Sequence, residues 1–237
     1  MAPPHFAIPL HLPLAFSASY TEANEQRARR WIKAELDTCR KAAGGALQVA
    51  FDAFTQPPAR RVPQAVEIVN VVATLPGTQP GARERHYVVS GRYDSMPSNV
   101  MDPEAQAPGA NDDASGVAAV MEMACAMAAH RFDATLVFMA VAGEEQGLLG
   151  AAHWAEQARL KRLDIAGMIT NDIIGSSTAD DGARNERTVR LFANGLPAIL
   201  SAQASADAAT GQLAREKIEA ITRSGGEADT PAHQLGR

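Results

Sequence analysis

The chain has 237 residues, of which 46% are apolar and 21% are charged, as in globular proteins. Its net charge of −5 provides no basic surface for nucleic acid, and no run approaches the roughly 18 uninterrupted apolar residues that a membrane span needs. The length suits one large domain or two small ones, and it is sufficient for a core of three layers.

The first 20 residues are predicted to be an N-terminal extension, followed by an α/β domain over residues 21–237. The segment from Phe6 to Phe16 is apolar, but prolines interrupt it and it lacks a positive leading region and a clear cleavage site, so we predict no signal peptide. Cys39 and Cys125 both fall within helical patterns. Two cysteines do not make a disulfide framework, so we expect both to be small buried hydrophobic residues.

The first half of the chain alternates between helical and strand patterns. Residues 21–39 have the apolar stripe of an amphipathic helix. Residues 47–53 alternate as a half-buried strand does, and residues 66–75 and 86–90 predict two more strands.

The second half continues the alternation. We predict a helix with an apolar face over residues 117–128, a buried central strand over 134–141, a helix over 148–160 and a strand over 165–173. A strand over 188–193 and a helix over 202–223 are also predicted. Strands that alternate with helices indicate an α/β sheet covered on both faces.

The end of the sequence predicts an incomplete domain. Thr230-Pro231 has the features of a helix start, with a capping hydroxyl before proline at the first helical position. The sequence ends at Arg237, within two turns of that start. We therefore expect this chain to be a fragment of a longer domain.

Acidic residues recur at the points where predicted strands end. They are Asp94, Asp112, Glu144, Glu145 and Asp172. If the strands are mostly parallel, these side chains lie along the edge where open α/β sheets bind ligands. Carboxylates so close together repel one another unless a cation neutralises them, and a pair of divalent ions is the natural choice. A spare carboxylate would then serve as general base.

Each acid also has a structural explanation. Asp112 or Asp113 would cap the helix that follows, Glu144 and Glu145 would complement a helix amino end, and Asp172 would occupy an ordinary turn. The histidines lie apart from the acids in sequence. His130 and His153 fit structural positions in helices, and His233 is a conceivable distant ligand.

Four motifs in order resemble metallopeptidase family 28, the co-catalytic di-zinc aminopeptidases, whose relatives include glutaminyl cyclases. They are G-R-Y-D-S at 91–95, P-G-A-N-D-D-A-S-G at 108–116, A-G-E-E-Q-G-L-L-G at 142–150 and N-D at 171–172. The resemblance covers about residues 70–175. It implies a three-layer α/β/α sandwich on a mostly parallel mixed sheet.

The resemblance also implies roles for the acids and two zinc ions. Asp112 would bridge both ions, Glu145 would ligate one and Asp172 the other. Glu144 would be the general base that takes a proton from the metal-bound water. Asp94 would orient the first metal-binding imidazole.

This chain departs from the family pattern at two ligands. Arg92 occupies the position where the family usually has histidine, and the last histidine ligand comes from a later segment that we expect this chain to lack. A guanidinium cannot ligate a metal. The remaining oxygen-only set suits magnesium or manganese better than zinc. Alternatively, Arg92 pairs with the acids and leaves a metal-free cluster.

The function that the resemblance implies is zinc-dependent removal of amino-terminal residues from peptides or proteins, in which a metal-bound hydroxide attacks the scissile carbonyl. The competing hypothesis is a non-catalytic module used for protein contacts after the loss of metal binding. Cyclisation of amino-terminal glutamine is less favoured, because nothing in the sequence singles it out. No compartment is predicted.

Overall fold

A computed structural model of the protein describes residues 22–99, 101–102, 105, 107–176, 178 and 182–184. The predicted extension over residues 1–20, the strand over 188–193, the helix over 202–223 and the helix start at Thr230-Pro231 lie outside these ranges, as does His233.

Every helix and strand predicted within the described residues is present, with ends shifted by a few residues. Their order is α1 (Glu22–Ala42), β1 (Gln48–Gln56), β2 (Val66–Leu75), β3 (Arg85–Arg92), α2 (Ala114–Ala128), β4 (Thr135–Val141), α3 (Leu149–Leu160) and β5 (Asp164–Thr170).

The strands form one five-stranded sheet in the order β1-β2-β4-β3-β5. β2 is antiparallel to both of its neighbours, whereas β3 is parallel to β4 and to β5. In this sheet only β2 therefore runs in the opposite direction. The carboxyl ends of β3, β4 and β5 consequently lie at the same edge, which confirms the mixed α/β sheet expected from the sequence.

Helices cover both faces of the sheet. Strand side chains alternate between the two faces, so each face presents apolar side chains on which helices pack. Phe138 and Ala140 of β4 belong to the core cluster that contains the apolar stripes of α1 and α2. Val137, Met139 and Val141 of the same strand form a second cluster with side chains of α3. The result is a three-layer arrangement, as expected.

A disulfide joins α1 to α2 through Cys39 and Cys125, whose Cα atoms lie 5.1 Å apart. The prediction that both cysteines are unpaired hydrophobic residues was wrong. The two residues are 86 positions apart, and only the packing of the two helices on one face of the sheet brings them within bonding distance.

The chain divides into two compact units, Met1–Gly175 and Ser176–Arg237. All named helices and strands belong to the first unit. In the second unit, the described residues include an isolated antiparallel bridge between Thr178 and Arg184. The predicted single domain over 21–237 stays a prediction. Among the described residues, no helix is long and apolar enough to cross a membrane.

Candidate active site

The shared edge of β3, β4 and β5 gathers the predicted site residues. β3 ends at Arg92, and Asp94 follows two residues later. Glu144 and Glu145 follow the end of β4, Asp172 follows the end of β5, and Asp112 lies in the loop that leads into α2.

Arg92 lies at the centre of this group, with only 7% of its surface exposed. Its Nη1 atom lies 2.5 Å from Oε1 of Glu145 and 3.3 Å from Oε2 of Glu144. Its Nη2 atom contacts Oδ1 of Asp112 and lies 3.4 Å from Oδ1 of Asp172. The structure thus shows Arg92 paired with the acids.

Asp113, and not Asp112, caps α2. Its Oδ1 atom accepts hydrogen bonds from the backbone N–H groups of Gly116 and Ile173, at 3.0 and 3.3 Å, and its Oδ2 atom accepts one from Arg92 N–H at 3.0 Å. The buried Asp113 carboxylate therefore joins the end of β3, the start of α2 and the segment after β5. Because Asp113 provides the cap, the Asp112 side chain is available to Arg92.

Two further contacts fix the segment that carries Asp172. Asn111 Oδ1 accepts a hydrogen bond from Gly175 N–H at 2.8 Å, and Ser115 Oγ accepts one from Ile174 N–H at 3.2 Å. Gly116 is required at the helix start, because a Cβ there would lie 2.5 Å from the Asp113 carboxylate oxygens. The N-D-D-A-S-G motif therefore holds the loops of the site together as well as supplying Asp112.

Asp94 lies behind the cluster and is 6% exposed. Its Oδ2 atom accepts a hydrogen bond from Glu145 N–H at 3.2 Å, whereas its buried Oδ1 atom has no hydrogen-bond partner among the residues that the structure describes. Burial raises the pKa of Asp94. Such an orphaned acceptor is costly. This Oδ1 atom belongs to the residue that the resemblance expects to contact a metal-binding imidazole. Arg92, two residues earlier, occupies the position of that imidazole.

Burial and mutual repulsion act against ionisation of the two glutamates. Burial raises the pKa of Glu144 to about 7, with Arg92 opposing that rise and Glu145 adding to it. Burial also raises the pKa of Glu145. Burial lowers the pKa of Arg92, but the surrounding carboxylates, Glu144 foremost, raise it well above its usual value. Arg92 is therefore a permanent cation in the cluster.

Sequence reasoning missed two residues that shape the segment after β4. Arg61 donates a hydrogen bond from Nη1 to the Glu145 carbonyl oxygen at 2.8 Å. Asn70, which is fully buried in β2, bonds to both ends of the Ala142–Gly150 segment. A polar residue within the apolar run of β2 was the available signal for Asn70.

The residues as they stand do not fit the two zinc ions that the resemblance implies. A guanidinium, which cannot ligate a metal, lies among the carboxylates. His153 stacks on Phe54 and lies 3.5 Å from Asp52, away from these acids. Within the described ranges, no three His, Cys, Asp or Glu residues are arranged to hold a metal ion.

Comparison with known proteins matches this chain to a peptidase family and to relatives described as metalloproteases. A model of Peptidase family M28 matches residues 70–223. A "Probable zinc metalloprotease" from Pyricularia oryzae is 46% identical over 211 residues, which span 89% of this chain and 39% of the relative. One with the same description from Leptosphaeria maculans is 43% identical over 210 residues, spanning 89% of this chain and 45% of the relative. The chain thus spans less than half the length of these relatives.

Solved structures support the fold. A glutaminyl cyclase from an Acidobacteriales bacterium matches 83% of this chain and 64% of its own chain, with a TM-score of 0.57 and 20% identity. A leucine aminopeptidase precursor from Bacteroides thetaiotaomicron matches 83% of this chain and 69% of its own, with a TM-score of 0.56 and 15% identity.

Proposed function

The chain belongs to peptidase family M28, and on this premise we propose that it is part of a zinc-dependent exopeptidase of the aminopeptidase type. The substrate would be the amino terminus of a peptide or protein. What carries the proposal is the convergence of Asp112, Glu144, Glu145 and Asp172 on a single cation at the edge shared by parallel strands. This edge is where open α/β sheets bind ligands.

We propose that Asp112, Glu145 and Asp172 would be the metal ligands of this site once the Arg92 guanidinium is removed, and that Asp94 would then orient an imidazole at position 92. Glu144 would accept and return the proton at the scissile bond, because it is the remaining carboxylate beside the proposed ligands. The Arg92 guanidinium lies among these groups, so the chain as it stands offers zinc no complete set of ligands.

Arg92→His tests the proposal. Removing the guanidinium frees the carboxylates, and an imidazole offers both a metal ligand and an N–H group for the orphaned Oδ1 of Asp94. We expect Arg92→His to bind more zinc than the wild type, measured by elemental analysis, and to hydrolyse aminoacyl-nitroanilides faster. Arg92→Lys is the matched control: it also removes the guanidinium but keeps a positive charge, and it should gain neither property.

The role of Glu144 is tested in the same background. Adding Glu144→Gln to Arg92→His should lower hydrolysis by about 100-fold or more, because removal of a general base typically costs that much, while bound zinc changes little. Equal rates with and without Glu144→Gln would contradict the proposed role.

A second candidate is a non-catalytic, metal-deficient module that makes protein contacts. The observation that favours it is the Arg92 cluster itself, in which a permanent cation replaces an outside ion. This candidate predicts no zinc and no hydrolysis in the wild type, whatever Arg92→His gains. About two zinc ions per wild-type chain, as in co-catalytic sites, would exclude it.

A further inference from the structure

Asn70 is a fully buried polar residue in the otherwise apolar middle of β2. Its Oδ1 atom accepts a hydrogen bond from Ala142 N–H at 3.2 Å. Its Nδ2 group donates to the Gly150 carbonyl oxygen at 2.9 Å and to Oδ2 of Asp52 at 3.0 Å. The amide therefore uses its acceptor and both of its donors.

These bonds hold both ends of one segment. Ala142 is the first residue after β4, and Gly150 is the second residue of α3. Gly150 N–H also donates to the Ala142 carbonyl oxygen at 2.9 Å, which closes the segment into a loop. A Cβ at Gly150 would lie 2.2 Å from Oδ1 of Asn70, so the backbone approaches the amide as closely as only glycine allows.

Asp52 braces the amide from the neighbouring strand. It lies directly opposite Asn70 in the pairing of β1 with β2. Its other carboxylate oxygen lies 3.5 Å from Nε2 of His153, whose ring stacks on Phe54 with centroids 4.0 Å apart. The orientation of the Asn70 amide is therefore fixed by contacts to β1, to Ala142 just after β4 and to α3.

We propose that Asn70, braced by Asp52, is a positioning residue that fixes the Ala142–Gly150 segment and so directs Glu144 and Glu145 toward the site. The catalytic meaning of this role rests on the proposed function, whereas the positioning of the segment does not. The physical reason is that one rigid amide satisfies buried backbone groups at both ends of the loop, which holds its ends at a fixed separation.

Amide hydrogen exchange tests the positioning directly. Asn70→Leu keeps a similar shape but removes all three hydrogen bonds. Val71→Ala is the matched control, because the adjacent Val71 is equally buried and belongs to the core cluster of α1 and α2. Phe138, at the centre of β4, reports the global change in each variant.

In Asn70→Leu, exchange at Ala142, Leu149 and Gly150 should accelerate about 10-fold or more beyond the change at Phe138, as the loss of a buried hydrogen bond implies. Asp52→Ala leaves the amide in place and should accelerate the same amides to a smaller extent, and it serves if Asn70→Leu does not fold. If these amides only follow the global change, as expected in Val71→Ala, the positioning role is refuted.

A kinetic measurement separates this inference from the proposed function. In the Arg92→His background, Asn70→Leu should lower kcat while KM changes little, because it displaces Glu144 without touching the substrate. Absence of hydrolysis in Arg92→His together with the expected exchange pattern would refute the proposed function and support the positioning role. Exchange that matches the Val71→Ala control would refute the positioning role, whatever the activity.

Discussion

Arg92 shows how one side chain limits what its neighbours can do. The side chains around it are the Asp and Glu residues expected of a metal site. The Arg92 guanidinium is instead a permanent cation among them. The sequence left open whether Arg92 only removes a metal ligand or also pairs with the acids. Both alternatives use the same residues, so only the distances between Arg92 and the carboxylates could show that the residues form ion pairs.

Asp112 and Asp113 are adjacent, and the sequence alone did not decide which of them caps α2. Either one suited the helix cap from its place in the sequence. In the structure, Asp113 bonds to the first turn of α2, to Arg92 N–H and to Ile173 N–H. A cap that also bonds to two distant segments cannot be recognised from the local pattern, because those partners lie 21 and 60 positions away.

Glu25 gives a prediction for the pH dependence of stability. It is 8% exposed on α1, and the Tyr93 hydroxyl lies 3.5 Å from its Oε1. Burial, with Asp94 adding to it, raises the pKa of Glu25 from 4.5 to about 7. Below pH 4.5 the carboxyl is neutral in both states. As pH rises from there to 7, only the unfolded state ionises, so the free energy of unfolding falls.

Glu25→Gln should remove this loss, because the amide stays neutral. We expect the variant to be more stable than the wild type by about 3 kcal/mol at pH 8, with no such gain at pH 4. Chemical denaturation at both pH values measures the difference. Glu122→Gln, at an exposed position on α2, is the control. An equal effect of Glu25→Gln at pH 4 and pH 8 would contradict the account.

At the scale of elements, the four sequence motifs lie mainly in the loops that connect strands and helices, and they fix the positions of those loops. The segment from β4 to α3 carries Glu144 and Glu145 and is held by Asn70, while the loop before α2 is tied to the segment after β5. The periodicity of the sequence predicted the elements themselves, because apolar spacing is a local property. The contacts that orient the connections join residues far apart in the chain.

The Cys39–Cys125 disulfide provides a prediction for the pair α1 and α2. It closes a loop of 86 positions. In the chain-entropy model, a cross-link over such a loop stabilises the folded state by about 4.6 kcal/mol. Reduction should lower the free energy of unfolding by this order, measured by urea denaturation with and without a reductant.

The double variant Cys39→Ala with Cys125→Ala is the control for the reductant. It should start from the lower stability and show no further response to reduction. If the wild type responds no more than this variant does, the disulfide does not stabilise the fold as proposed.

At the scale of the whole molecule, the direction of the strands creates the site. The strands β3, β4 and β5 run in the same direction, so the segments that follow them meet at one edge of the sheet. β5 is the last strand in this order, and its side chains are mostly exposed. In the part of the chain that the structure describes, no further strand pairs with its outer edge.

Within the described residues the apolar side chains of β5 are exposed at an open edge, and we expect self-association there, since open strand edges promote pairing between chains. Ile169 is 60% exposed. Ile169→Lys should reduce the concentration-dependent light scattering of the protein and leave its stability within about 0.5 kcal/mol, as is usual for surface substitutions. Leu160→Lys is the control, because Leu160 is 59% exposed but ends a helix. Equal effects of the two substitutions would contradict the role of the strand edge.

The sequence by itself determined the succession of helices and strands, the acids at strand ends and the family resemblance, because apolar periodicity and motif spacing are local properties of the chain. Tertiary structure alone decided that Arg92 pairs with the acids, that Asp113 is the cap, that Asn70 bonds to both ends of the Ala142–Gly150 segment and that the cysteines are bonded. These outcomes depend on distances between residues separated by tens of positions, which only the packing of the sheet and helices sets.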